Sequence, residues 1–328
     1  MRHREFGRTG RKVSEVGFGA WAIGASWGQV DDSESRAALH AALDSGVTFI
    51  DTADVYGDGH SEKLIASVLK ERGGEKPFVA TKAGRRLPEQ SVEGYSTENL
   101  SAWIDRSRKN LDVDTLDLVQ LHCPPTALYG NAQVFERLDA LVEKGWIKNY
   151  GVSVERIDEA LEAIRRPNVQ SVQIIFNAFR QRPADEFFAA AQAAKVAVIA
   201  RVPLASGLLT GKFRQDSKFE ADDHRQFNRH GEAFDVGETF SGVPYEVGLE
   251  AVERLRPLVG EDGTMAQWAL RWILMFDAVT VVIPGAKNPA QAEGNAKAAE
   301  LAPLGNEAMA KVRDVYQELI APHVHTRW

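Results

Sequence analysis

Two rhythms of hydrophobic and polar positions alternate along this chain. Short uncharged runs rich in β-branched or aromatic residues recur, such as Val47, Phe49 and Ile50, and each leads into a polar loop. After the loop, apolar residues return every three or four positions: Phe135, Leu138, Leu141 and Val142 share one helical face, as do Ile157, Leu161 and Ile164. The runs predict strands near 16–19, 47–51, 77–82, 116–121, 148–152, 171–175, 196–200 and 279–283. The periodic stretches predict helices near 33–45, 61–72, 97–110, 131–145, 154–165, 184–194, 246–258 and 288–299. Residues 4–17 predict a hairpin turning at Thr9-Gly10-Arg11-Lys12, and 304–320 an extra C-terminal helix carrying Met309, Val312, Val315, Tyr316 and Leu319. Strands that alternate with helices imply an α/β protein whose parallel sheet is covered on its outside. Eight such units close naturally into a (β/α)8 TIM barrel, here as one domain over 1–328. Residues 212–245 interrupt the rhythm with a charged stretch (Lys212, Arg214, Asp216, Asp222, Asp223, Arg225) and are expected to form a lid or binding loop.

Composition narrows the class. The 328 residues carry 39 basic and 46 acidic side chains, a net charge of −7 that argues against a nucleic-acid or anionic-membrane surface. No run of 18 apolar residues and no signal-peptide pattern is present, so a cytoplasmic location is expected. The single cysteine, Cys123, excludes an internal disulfide and fits a reducing compartment.

Four titratable residues fall at equivalent places. Asp51 ends the second strand, with Tyr56 in the loop beyond it; Lys82 ends the third strand and His122 the fourth. In a parallel barrel all strand C-termini open on one face, so the four converge. A buried Lys82 needs a counter-charge, which Asp51 supplies. An ammonium beside the Tyr56 hydroxyl is expected to lower its pKa from the usual ~10, and a phenol so tuned can deliver a proton. His122 can donate a hydrogen bond to a substrate oxygen. Together they describe protonation of a carbonyl oxygen, with hydride supplied from elsewhere. Each residue also has a bland reading: a capping Asp, a packing Tyr, a Lys that reaches to water, a structural His. Taken singly the bland readings win; at four equivalent strand ends they do not.

The segments FGRTGRKVSEVGFGAW, FIDTADVYG, FVATKAG, DLVQLHCPP, YGVSVERI, VPLASGLLTGKF and VIPGAKNPAQAEGN, in this order over nearly the whole chain, resemble the aldo-keto reductase family, in its bacterial branch related to potassium-channel β subunits. The resemblance implies an (α/β)8 barrel and reversible NADPH-dependent reduction of aldehydes or ketones. It makes Tyr56 the general acid, assisted by Lys82 and Asp51, with His122 orienting the carbonyl. It also implies cofactor contacts. Gly285, Ala286, Lys287, Gln291 and Asn295 would hold the adenosine end, where a helix N-terminus and the Lys287 charge suit a 2′-phosphate. The loop carrying Pro203, Leu204, Ser206, Gly207 and Lys212 would carry the pyrophosphate. Ser153, Gln173 and the nearby Asn177 would contact the carboxamide, and Ala20, Trp21, Asp51 and Arg201 complete the set.

Three positions depart from the family pattern. Arg201 stands where many members stack an aromatic on the nicotinamide, Gln291 where many carry a base, and Gly285 where many carry lysine. NADH therefore stays open beside NADPH. Trp21, Tyr56, His122 and Tyr129 are expected to line the substrate pocket, with Trp27 and the 212–245 loop completing it; aromatic walls suit apolar or aromatic aldehydes. The partner is a small carbonyl compound, no metal is expected, and a homo-oligomer stays open. Three signals carry less. Gly17-x-Gly19-x-x-Ala22 matches the relaxed dinucleotide fingerprint, but no helix opens there. His323 and His325 lie in an end expected to fray. Cys123 beside His122 would point to the opposite face. Two rival functions remain: a Schiff-base aldolase using Lys82, and a redox-sensing subunit that binds nicotinamide and turns over slowly.

Overall fold

The computed structural model describes residues 1–24, 31–261 and 263–328. Its strands are β1 His3–Glu5, β2 Lys12–Ser14, β3 Phe18–Gly19, β4 Phe49–Asp51, β5 Phe78–Ala83, β6 Leu118–His122, β7 Tyr150–Ser153, β8 Val169–Ile175, β9 Ala197–Arg201 and β10 Val279–Val282. The helices are α1 Asp32–Asp44, α2 His60–Arg72, α3 Thr97–Leu111, α4 Thr126–Tyr129, α5 Ala132–Glu143, α6 Ile157–Ala163, α7 Arg182–Glu186, α8 Phe188–Ala193, α9 His224–Phe227, α10 Tyr245–Leu255, α11 Met265–Leu274, α12 Pro289–Lys297, α13 Asn306–Val315 and α14 Ala321–Val324.

Strands β3 to β10 pair in sequential order as one parallel sheet. The sheet closes on itself where Val16 bridges Val282 and Gly19 bridges Gly285. At that seam the Gly17 N–H donates to Val282 O at 2.8 Å and the Gly19 N–H to Pro284 O at 3.0 Å. This is the expected (β/α)8 barrel.

Period two along each strand sorts the barrel interior into layers. The lower layer is apolar: Phe6, Val13, Phe49, Phe78, Ala80, Leu118, Ile199 and Val281 form a closed cluster. The β1–β2 hairpin plugs this end with Phe6, whose ring lies 5.4 Å from Phe49 and 4.9 Å from Phe78. Two residues further along the same strands the inward positions turn polar: Asp51 above Phe49, Lys82 above Ala80, Gln120 above Leu118, and Arg201 above Ile199. The apolar floor and the polar ceiling are therefore written on the same strands.

Four elements differ from the sequence-based expectation. The hairpin turn ends at Arg11, because Lys12 already pairs with Glu5. The 184–194 helix is two short helices that meet at Phe187. Helix α11 was not expected at all; eight of its ten residues are buried, Arg271 among them. Its start is nevertheless marked by a capping box from Thr264 and Gln267. The 212–245 segment is packed: it carries α9, and His224, Asn228 and Ser241 are fully buried within it.

The seam can be tested at Gly19. A Cβ there would lie 2.7 Å from the Ile283 carbonyl oxygen. Gly19→Ala is expected to cost about 1–3 kcal/mol by overpacking, whereas Gly294→Ala, in α12 with open space around it, is expected to gain roughly 0.5–1 kcal/mol from helix propensity. Urea unfolding of both variants checks the opposite signs.

Candidate active site

Asp51 is the last residue of β4 and Lys82 lies near the end of β5, both sealed from solvent. Lys82 Nζ donates to Asp51 Oδ1 at 2.5 Å and to the Thr52 carbonyl at 2.9 Å. Asp51 Oδ2 accepts from Gln173 Nε2 at 2.7 Å and from Gln120 Nε2 at 3.1 Å. Both carboxylate oxygens and the ammonium of the buried pair are thus hydrogen-bonded, as burial of two charges requires. Lys82 Nζ spends its third proton on Tyr56 Oη at 3.3 Å. Tyr56 sits in the turn after β4, held from behind by Gly24: a Cβ there would lie 2.6 Å from Tyr56 Cβ.

The phenol's pKa moves the opposite way from the sequence-based expectation. Burial raises it and outweighs the pull of the Lys82 charge, with Asp51 and Glu238 adding to the upward push. Tyr56 is thus fully protonated at neutral pH. Burial disfavours the Lys82 ammonium, but Asp51 and Tyr56 more than compensate and its pKa rises. A lysine held charged in this way is no Schiff-base nucleophile, which removes the support for the aldolase reading. His122, at the end of β6, is driven well below its usual pKa by burial and then by Arg85, Lys82 and Arg201, so its ring is neutral. Its ring stands 6.1 Å from that of Tyr56 at 83°, and its Nδ1 is buried without a partner.

Trp21 flanks Tyr56, ring to ring at 6.3 Å, and is met from the 212–245 segment by His224 at 4.8 Å and Phe234 at 6.0 Å. The loop therefore reaches the mouth, as a lid would. A charge network also bears on Tyr56 and His122. Arg201 Nη2 donates to Glu155 Oε2 at 2.8 Å and to the Val154 carbonyl at 2.9 Å, and its Nη1 pairs with Glu238 at 3.4 Å. Arg85 pairs with Glu238 at 2.8 Å and Glu155 at 3.3 Å. Burial and the neighbouring Glu238 push Glu155 up to about 7, against the pull of Arg201 and Arg85. Burial pushes the Cys123 thiol up to about 12, so it is no nucleophile.

The other sequence-derived positions fall as follows. Ala20 is buried, and its N–H donates to Asp51 O at 2.8 Å. Ser153 is buried, with Cys123 Sγ 3.4 Å from its Oγ. Gln173 donates its amide nitrogen to Asp51. Asn177 donates to Val202 O and Ser241 Oγ, both at 2.8 Å. Tyr129 is fully buried and its hydroxyl donates to Ser153 O at 3.0 Å, so it packs beneath the mouth instead of lining it. Pro203, Leu204, Ser206 and Gly207 lie on the turn after β9, where Ser206 Oγ donates to Glu238 O at 2.9 Å; Lys212 is exposed beyond it. At the opening of α12, Gln291 Oε1 accepts from the Lys287 N–H at 2.9 Å and Asn295 Nδ2 donates to Gly285 O at 3.1 Å, with Ala286 buried between. Trp27 lies outside the described residues. The C-terminal end is packed rather than frayed: His325 Nδ1 lies 2.8 Å from Tyr316 Oη.

Sequence reasoning missed Gln120, Arg85, Glu155 and Glu238 as site residues. Gln120 had a signal, since it stands two residues before His122 on the same strand face. It also missed Arg225. Burial and then the Arg225 charge lower the Lys287 pKa, against the pull of Asp223 and Asp222, and Arg225 is itself paired with Asp223. That donor set fits a polyanionic ligand end such as a ribose 2′-phosphate.

Comparison with known proteins fits this geometry. The aldo/keto reductase family profile matches residues 15–317. The chain belongs to the aldo/keto reductase family. An Arabidopsis thaliana chain named a probable voltage-gated potassium channel subunit beta is 29% identical, covering 93% of each chain. The Schizosaccharomyces pombe aldo-keto reductase yakc [NADP(+)] is 27% identical over 86% of this chain and 83% of its own. Among solved structures, the holo form of aldo-keto reductase AKR11C1 from Bacillus halodurans superposes with a TM-score of 0.76 at 26% identity, covering 96% of each chain. This aldo-keto reductase is therefore an oxidoreductase of carbonyl compounds. Among its described residues, no helix is long and apolar enough to cross a membrane.

Two measurements test the electrostatics. Lys82→Met is expected to destabilise by about 3–5 kcal/mol, because Asp51 is left charged and buried; adding Asp51→Asn should restore part of that loss in urea unfolding. Asp54, fully buried with neither carboxylate oxygen partnered, is pushed up to about 7 by burial and by Glu62. The unfolded chain releases this proton near 3.8 and the folded chain near 7, so the folded state binds more protons in between and stability falls as pH rises through that window. Asp54→Asn is expected to stabilise at pH ~8 by a few kcal/mol and to change little at pH ~4.

Proposed function

We propose that this protein reduces aldehydes or ketones to alcohols with NADPH, reversibly, with Tyr56 as the general acid. The observation that carries this reading is the protonated phenol tethered to a charged, fully paired Lys82 beside a neutral His122. When bound, NADPH would supply the hydride for the carbonyl carbon. The chain does the rest. Tyr56 Oη gives its proton to the carbonyl oxygen, and the Lys82 ammonium stabilises the phenolate left behind. Asp51, braced by Gln120 and Gln173, keeps Lys82 charged and aimed at the phenol. Neutral His122 donates to the same oxygen as negative charge grows there, and being neutral it does not compete as an acid. Lys287 and Arg225 support NADPH over NADH through the 2′-phosphate, with Gly285, Ala286, Gln291 and Asn295 shaping that end. Trp21 forms an aromatic wall suited to flat apolar carbonyls.

A second reading is a nicotinamide-holding, redox-sensing subunit with slow turnover. The likeness to the Arabidopsis chain named a potassium channel β subunit favours it. NADPH oxidation against a panel of aromatic and aliphatic aldehydes separates the two. Wild type is expected to turn over, and Tyr56→Phe to lose roughly 10²–10⁴-fold in kcat with NADPH binding kept. Equal rates in both would overturn the assignment of Tyr56. Tight NADPH binding without turnover in either would favour the sensor.

A further inference from the structure

The lid is keyed from the far end of the chain. Trp328 is buried, and its indole Nε1 donates to Asp235 Oδ1 at 2.9 Å. The Arg180 guanidinium covers the indole at 4.0 Å, and Arg182 Nη1 donates to the Trp328 carbonyl at 2.5 Å. The seat is made by the lid itself. A Cβ on Gly242 would collide with the indole, and one on Gly237 would come within 3.0 Å of it. Between these two glycines stands Glu238, in the single 3₁₀ turn Val236–Glu238. Glu238 is the lid's carboxylate at the mouth: it pairs with Arg85 at 2.8 Å and Arg201 at 3.4 Å. Those arginines bear on His122, and Glu238 itself bears on Tyr56.

We propose that Trp328 is a positioning residue for carbonyl reduction: seated between Asp235 and Gly242, it holds Glu238 against Arg85 and Arg201 and so fixes the mouth above Tyr56 and His122. The inference rests on the reductase reading for its kinetic consequence, but not for its structural one. Trp328 touches neither the reacting atoms nor the acid, so its loss acts on how substrate is received. Trp328→Ala is expected to raise KM for the carbonyl compound about tenfold while kcat changes less than about threefold. Trp328→Phe, which keeps a ring in the seat and loses only the Nε1–H donor, is expected to fall between. Glu238→Gln should raise KM in the same way, and Trp328→Ala should add little to it in that background, since both act through one contact set.

Amide hydrogen exchange over residues 232–242 supplies a reading independent of turnover. Trp328→Ala, and Trp328→Phe to a lesser degree, is expected to speed exchange there while the barrel strands keep their protection. Unchanged exchange in both variants would overturn the keying. So would KM effects of Trp328→Ala and Glu238→Gln that multiply as independent terms. Faster lid exchange in Trp328→Ala, with a wild type that turns over no carbonyl, would uphold the keying and overturn the reductase reading instead.

Discussion

The arrangement of this molecule depends on a charge pair inside a barrel. Taking an ammonium and a carboxylate out of water costs several kcal/mol per ion unless each is answered by the protein. Here the answers come from four different strands or their ends: Lys82 from β5, Asp51 and the Thr52 carbonyl at the end of β4, Gln120 from β6 and Gln173 from β8. No local segment could assemble that set. Only a sheet curled on itself brings the four strands' inward faces to one point, and only in the observed register. The pair is in turn what gives the Tyr56 phenol a fixed cationic neighbour while its burial keeps the proton on it.

Above this layer the mouth has two unlike parts. One is aromatic, where Trp21 meets Tyr56, His224 and Phe234. The other balances two guanidinium groups against two carboxylates, Arg85 and Arg201 with Glu155 and Glu238. With both glutamates ionised such a quartet is neutral as a whole, yet each member is a strong local charge. It lowers the His122 pKa and raises that of Tyr56 without adding net charge to the entrance. Arg201 is thereby a structural strut of the mouth, held by Val154, Glu155 and Glu238, rather than a side chain that swings freely.

Much of this was legible in the chain before any coordinates. Strand ends announce themselves where an uncharged run stops at a charged or polar residue, which is how Asp51, Lys82 and His122 could be placed on one face. The residues that escaped share two physical reasons. Gln120 is a neutral amide in mid-strand, and only the period-two reading from His122 singles it out. Glu238, Arg225 and Trp328 lie in segments without periodicity, so their positions follow from tertiary packing of the lid and not from a repeat. Helix α11 escaped although the Thr264–Gln267 capping box marks its start. The direction of the Tyr56 shift was misjudged for a different reason: a neighbouring charge can be inferred from sequence, but the depth of burial that outweighs it cannot.

The barrel seam has a consequence for the order in which this protein takes shape. Val16 finds its partner at Val282, and Arg4 donates to the Phe276 carbonyl across 272 residues. Contacts of that separation carry a loop-closure cost that must be met before they are rewarded. On the ribosome, where chains emerge at about 5–20 residues per second, the first strand waits unpaired on one edge until the eighth has been made. Through that interval Trp21 and the backbone beside Asp51 border an open sheet edge. The strand-end face that carries Asp51, Lys82 and His122 is thus closed only once the eighth barrel strand has been made.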